Sequence, residues 1–241
     1  MSDANEKTRA WARRLGTTPT EPQTQTIPAA TVVLLRDGTA GLETLVLLRN
    51  SKLAFAGGMW VFPGGRVDPG DGDRSVDELG VARRAAAREA QEEAGLDIDP
   101  DGLVTYAHWC PPAFAPKRFA TWFFVTAAPP GDVVVDGGEI HAHRWVRPAD
   151  GLARRDAGEI ELAPPTWVTL HDLARFTTVE ETLDAVRARE PESFVTRIAA
   201  VGGAIVAMWH GDSGYEAGDA DRPGGRHRLW MADAGWRYER S

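Results

Sequence analysis

A single cysteine, Cys110, among 241 residues excludes an internal disulfide framework. It suits a reducing compartment, and with no activating partner beside it in sequence the thiol reads as structural. Dense runs of lysine and arginine are also missing. The formal charge of −8 and a pI near 5.3 argue against a DNA-binding or general nucleic-acid-binding role. An anionic substrate would therefore need a metal ion to offset repulsion. No apolar stretch is long enough to span a bilayer: the longest, Ile198 to Trp209, is short and glycine-rich. The N-terminal "MSDANEKTRAWARRL" has no apolar centre like that of a signal peptide. The expectation is a cytoplasmic protein with neither a DNA nor a membrane partner.

What remains is ordinary for a globular chain, 43% hydrophobic and 26% charged, with room for one large domain or one domain and an appendage. Residues 1–26 are polar and read as a tail and linker. Two β-branched and leucine-rich runs, "AATVVLLRDG" and "LETLVLLRN", predict strands across a glycine turn. A short strand at "MWVF" leads into a loop rich in glycine and aspartate. "SVDE" has the form of a capping box, Ser75 as N-cap and Glu78 at the third helical position, and opens an alanine-rich helix that Gly95 ends. "LVTYAHWC", "RFATWFFVTAA" and "EIHAHRWV" predict three further strands. "PPTWVTLHDLARF" and "TVEETLDAVRARE" predict helices, the second opened by Thr178, before a hairpin or irregular arm. The order fits a mixed α+β sandwich better than an alternating βαβ fold.

Within the long helix, Glu89, Glu92 and Glu93 fall on one face by the 3.6-residue period. Like charges at that spacing repel, and only Arg88 is near enough in sequence to offset them. A hard divalent cation, which prefers carboxylate oxygen, is the simplest neutraliser. "FPGG", Phe62 to Gly65, precedes the helix, and its glycines permit backbone groups to approach a ligand closely.

The combination "FPGG…REAQEEAGL" resembles the Nudix hydrolase family. Its box runs glycine, five residues, glutamate, seven residues, then Arg-Glu-aliphatic-x-Glu-Glu-x-Gly-aliphatic. Gly65, Arg88, Glu89, Ala90, Glu92, Glu93, Gly95 and Leu96 match. Between Gly65 and Arg88 lie 22 residues where the box has 13, an insertion of nine, and counting back from Arg88 places the box glutamate on Gly80, with Glu78 the nearest substitute. The resemblance implies a Nudix-type α/β/α sandwich with a mixed sheet over 27–150. It implies a helical extension over 151–241, packed on that domain, whose helices either cap the substrate site or form a homodimer interface. The implied reaction is Mg²⁺- or Mn²⁺-dependent hydrolysis of a nucleoside diphosphate linked to another moiety. Glu89, Glu92 and Glu93 would be metal ligands with the Gly65 carbonyl, Arg88 would orient the glutamates, and Glu93 or Glu139 would accept the proton of water. Arg49, Gly64 and Arg118 are the expected substrate contacts. Lys117 is a further loop charge near substrate phosphate, and His141, His143, Phe119, Trp122, Phe123 and Phe124 read as structural or rim residues.

"LLRNSKLAFAGGMWVFPGG" is similar to the signature of coenzyme A diphosphatases. Arg49, Gly58 and Phe62 to Gly65 hold their places, while Asn50 replaces a serine and Ala54 an arginine. Coenzyme A or an acyl-coenzyme A is the expected substrate, with ADP-ribose or NADH hydrolysis, or a non-catalytic nucleotide-binding regulator, as the alternatives.

Overall fold

The computed structural model describes residues 25–52, 56–113, 115, 118–202, 204–232 and 234–241. The chain forms two compact units, the larger from 27–108 and 120–192, the smaller including 109–119 and 193–241.

In the larger unit, β1 (Ile27–Gly38) and β2 (Gly41–Arg49) make an antiparallel hairpin in register from Leu35↔Thr44 to Gly38↔Gly41. Gly41 takes φ 112°, a conformation a side chain would resist at this tight turn. Two short strands follow: β3 (Trp60–Val61) pairs with β2, and β4 (Gly64–Arg66) pairs with β1. The second lies inside the stretch read as loop, because its glycines hide the strand pattern while their backbone still completes the ladder. After α1 (Glu78–Ala94) come β5 (Val104–Cys110), β6 (Phe119–Ala127) and β7 (Ile140–Val146). The sheet runs β3-β2-β1-β6-β5, with β4 on β1 and β7 on β2.

Alanines decide how α1 sits. Ala82, Ala85, Ala86, Ala90 and Ala94, with Val81, are buried against Ala30, Val32, Leu34, Leu45, Leu47, Phe124 and Ile140. Small side chains let the helix lie close to the sheet, which places its opposite turns beside β4. The helix starts one residue after Asp77, whose carboxylate accepts from Gly80 N at 2.8 Å, and ends at Gly95 in the left-handed region. This corrects the expected cap. Ser75 donates through N and Oγ to Asp73 Oδ1 in a turn, and Glu78 is the first helical residue, paired with Arg74 at 2.9 Å. Asp77 wins because its carboxylate, immediately ahead of the helix, reaches the free amide itself.

Helix α2 (Pro148–Asp156) has no counterpart in the sequence reading. Its markers are Pro148 at the first helical position and the Arg147–Asp150 pair at 2.8 Å. Helices α3 (Pro164–Leu173) and α4 (Val179–Arg187) follow, and Thr178 caps α4 by accepting from Glu181 N. Tyr106 of β5 donates to Asp172 Oδ2 of α3 at 2.6 Å, and Arg189 holds the same oxygen at 3.1 Å.

The helices stop there. From Glu192 the chain forms strands β8 (Glu192–Val195), β9 (Arg197–Val201), β10 (Ala204–Met208), β11 (His227–Ala232) and β12 (Gly235–Arg240), so the helical description of 151–241 is corrected over this part. The last four make an antiparallel sheet ordered β12-β11-β10-β9 in the smaller unit. The long β10–β11 connection, which reads as irregular because of its glycines and aspartates, is anchored by the fully buried Asp212–Arg228 pair. Both guanidinium arms lie 2.7 Å from the carboxylate, which also accepts from His227 N and Gly214 N. No described helix is long and apolar enough to cross a membrane.

Candidate active site

The carboxylates of α1 meet the backbone of β4. Glu93 is 5% exposed, and its Oε2 accepts from Gly64 N at 2.9 Å. Glu89 lies against Gly65 so closely that a Cβ built there would stand 2.5 Å from its Cδ and Oε1. At Gly64, where φ is 156°, a Cβ would stand 2.5 Å from Ala30 O. Only two adjacent glycines allow β4 to pair with β1 on one side and receive two glutamates on the other.

Arg88 gathers the outer part. Its Nη1 donates to Glu89 Oε1 at 2.9 Å and Glu92 Oε2 at 3.0 Å, and its Nη2 to Arg66 O at 2.9 Å. The rest of the guanidinium grips Asp71, Nε to Oδ1 at 3.0 Å and Nη2 to Oδ2 at 3.1 Å. Asp71 is buried, and its sequence signal lies in counting forward: it follows Gly65 after five residues, the position of the box glutamate. Sixteen residues then separate it from Arg88 where the box has seven, so the insertion lies wholly after Asp71. Asp71, and not Gly80, therefore stands at the acidic position of the box, since a count back from Arg88 runs through the insertion. Glu78 is exposed at the far end of α1 and pairs with Arg74, about 16 Å by helical rise from Glu89.

Arg49 gathers the inner part. At the end of β2, the period of two puts it on the face that Leu45 and Leu47 turn toward α1. Its Nη1 lies 3.5 Å from Glu93 Oε1 and its Nη2 3.0 Å from Glu139 Oε2. Glu139 is 60% exposed at its side chain and sits in a turn where its N donates to Asp136 Oδ2. Glu89, Glu92, Glu93, Glu139, Arg88, Arg49, Gly64 and Gly65 are thus brought together. Arg118 belongs to the smaller unit, where it donates to Pro111 O at 3.2 Å and Cys110 Sγ at 3.3 Å. Lys117 and Ala54 lie outside the described residues. His141 and His143 are exposed on β7, Phe123 and Phe124 are buried, Phe119 is half-buried, and Trp122 packs on His108 with ring centroids 4.3 Å apart.

Crowding shows in the acid strengths. Burial pushes Glu93 up to about 7, reinforced by Glu89 and Glu139 and opposed by the Gly64 amide and Arg49. Burial likewise raises Glu89, against the pull of Arg88. Asp71 foremost holds the Arg88 guanidinium in its charged form. Among the described residues no three His, Cys, Asp or Glu side chains converge as the ligands of one ion. Their oxygens are turned onto Arg88 and Arg49 instead. The donor set is still all oxygen, and the negative field that raises Glu93 and Glu89 is what a hard divalent cation neutralises, so the residues fit Mg²⁺ or Mn²⁺.

Comparison with known proteins identifies the family and the fold. A peroxisomal coenzyme A diphosphatase of Caenorhabditis elegans is 32% identical over 135 residues, 55% of this chain and 53% of that protein, so the chain spans about half the length of the curated relative it matches. The crystal structure of a NUDIX hydrolase from Alicyclobacillus acidocaldarius superposes with a TM-score of 0.61 at 24% identity, over 68% of this chain and 97% of that one, and shows the fold. The NUDIX domain family matches residues 25–164, more than half of the sequence, and the chain belongs to the Nudix family.

Proposed function

We propose that this protein hydrolyses the diphosphate bond of a nucleoside diphosphate linked to another moiety, with Mg²⁺ or Mn²⁺ as cofactor and coenzyme A or an acyl-coenzyme A as substrate. The observation that carries the reading is the docking of Glu89 and Glu93 on Gly65 and Gly64, with Glu139 drawn to the same place by Arg49. The name of the Caenorhabditis elegans relative supports the coenzyme A assignment, as does the Arg49, Gly58 and Phe62–Gly65 pattern.

Glu89, Glu92 and Glu93 would hold the ions together with the Gly65 carbonyl. A bound divalent cation neutralises phosphoryl oxygens and makes a water nucleophilic. Arg88 orients Glu89 and Glu92 and, through Arg66 O, the glycine strand. Glu93 is tied to Gly64 N and buried, whereas Glu139 is exposed, so Glu139 is the better placed acceptor for the proton of the attacking water. Arg49 and the Gly64 backbone would contact the substrate. The lone cysteine supports a cytosolic setting, while the relative's name places that protein in the peroxisome.

A second reading, a nucleotide-binding regulator without turnover, draws on the absence of a converged ligand set among the described residues. One experiment separates them: product release from coenzyme A, acetyl-coenzyme A, ADP-ribose, NADH and diadenosine polyphosphates, with and without Mg²⁺ or Mn²⁺. Metal-dependent cleavage with a 3′-phosphorylated product is expected. Tight binding of one compound without cleavage would establish the regulator.

A further inference from the structure

Arg49 stands between two carboxylates of unlike surroundings, buried Glu93 at 3.5 Å and exposed Glu139 at 3.0 Å. Its side chain is 16% exposed, and its buried Nε has no acceptor among the described residues. A guanidinium that leaves a buried donor unused and makes a long contact to one carboxylate holds a position it can leave at small cost.

The oxygens of the glutamates differ in what they have left to give. Glu89 and Glu92 each offer one oxygen to Arg88, and the second oxygen of each has no hydrogen-bond partner among the described residues. Both oxygens of Glu93 already have a contact: Oε2 accepts from Gly64 N and Oε1 faces Arg49. A divalent cation approaching Glu93 Oε1 would stand beside the Arg49 guanidinium, 3.5 Å from that oxygen, and repel it from its long contact, whereas Arg88 leaves the second oxygens of Glu89 and Glu92 open and can stay where it is.

We propose that Arg49 is a built-in counter-cation, which neutralises Glu93 and Glu139 in the metal-free protein and is displaced from Glu93 when a divalent cation binds, freeing its guanidinium for the substrate. The proposal rests on the metal-ligand role of Glu93 given above. It makes Arg49 a competitor of the metal before it is a partner of the substrate, and it sets the order of binding, metal first.

The test is Mn²⁺ binding to the full chain without substrate, followed by the electron paramagnetic resonance of free Mn²⁺, together with melting temperature in chelator. Arg49→Gln is expected to bind Mn²⁺ at least fivefold more tightly than wild type and to melt lower when metal-free, since Glu93 and Glu139 lose their counter-charge. Affinity equal within twofold, or weaker, overturns the proposal, because a residue that only contacts substrate or only positions Glu93 would give one of those results. If Arg49→Gln does not fold, Arg49→Lys carries the test. One ammonium cannot bridge both carboxylates as the fork does, so binding at least twofold tighter is expected and equal or weaker binding overturns the proposal. Absence of saturable Mn²⁺ binding by wild type is a different result, which removes the metal-ligand reading itself and this inference with it.

Discussion

Asp71 takes both faces of the Arg88 fork, at 3.0 and 3.1 Å, and this pair joins the loop after β4 to the carboxylate turn of α1. Arg84 adds a bond to Asp71 O at 2.7 Å from the preceding turn, so the loop is clamped at both main chain and side chain. Asp71→Asn keeps the shape and removes the charge. It is expected to cost about 1–3 kcal/mol in urea unfolding, since Arg88 is left half-paired beside a buried amide. Turnover should fall about tenfold or more, because Arg88 is then free to swing away from Glu89 and Glu92. Asp71→Glu, which restores the residue type of the family box, should retain more activity than Asp71→Asn; the reverse order would remove Asp71 from the role of clamp.

Glu92 tests charge without stability. Its side chain is 58% exposed, and among the described residues its ion pair is with Arg88. Glu92→Gln should therefore leave the melting curve unchanged within about 0.5 kcal/mol, yet lower turnover by about two orders of magnitude through loss of a charged ligand. Near wild-type activity in saturating Mg²⁺ would refute its metal role.

Gly65 tests the closeness of strand and helix. With Glu89 Cδ 2.5 Å from the Cβ that alanine would add, Gly65→Ala must push the carboxylate or β4 aside. The expected cost is about 1–3 kcal/mol, as for other overpacked sites, with Mn²⁺ affinity reduced in the same variant. Gly70→Ala, where a Cβ would meet nothing within 4 Å, is the control and should change neither.

The inner half of this site was legible because its residues are contiguous: Glu89, Glu92 and Glu93 need only the helical period to be placed together, and Gly64 and Gly65 stand out by type. Asp71 was hidden by the insertion, since a fixed spacing can be followed forward from Gly65 but not backward through extra residues. The pairing of Arg49 with Glu93 and Glu139 depends on where β2 ends relative to α1 and to the turn before β7, a tertiary fact with no local signature. The same holds for the fold. The hydrophobic runs of β1, β2, β5, β6 and β7 announce themselves, whereas β4 is three residues of Gly-Gly-Arg whose only strand property is its pairing with β1. The C-terminal sheet is hidden in the sequence because the glycine-rich, aspartate-rich stretch between β10 and β11 reads as irregular, and its order comes from the buried Asp212–Arg228 pair.

The raised acid strength of Glu93 has a sign that stability can read. Its carboxyl stays protonated up to about 7 in the folded protein against 4.5 for the ordinary residue, so folding favours the protonated form. That contribution is fully present below 4.5 and is lost as pH rises through 7, a change on the order of 3 kcal/mol at most. Asp212, Asp150 and Asp136 are all held low by their hydrogen bonds and titrate below this window. His108 and His171, held below 6.5 by burial, act in the opposite direction near its upper end. The difference between wild type and Glu93→Gln isolates the carboxylate from both sets. In chelator, wild type should lose melting temperature relative to Glu93→Gln between pH 4.5 and 8, and Mg²⁺ at pH 8 should restore it in wild type alone, since a bound cation removes the burial penalty that raises the group. Parallel curves for the two proteins across that range would show that Glu93 is not the group whose charge the site has to neutralise.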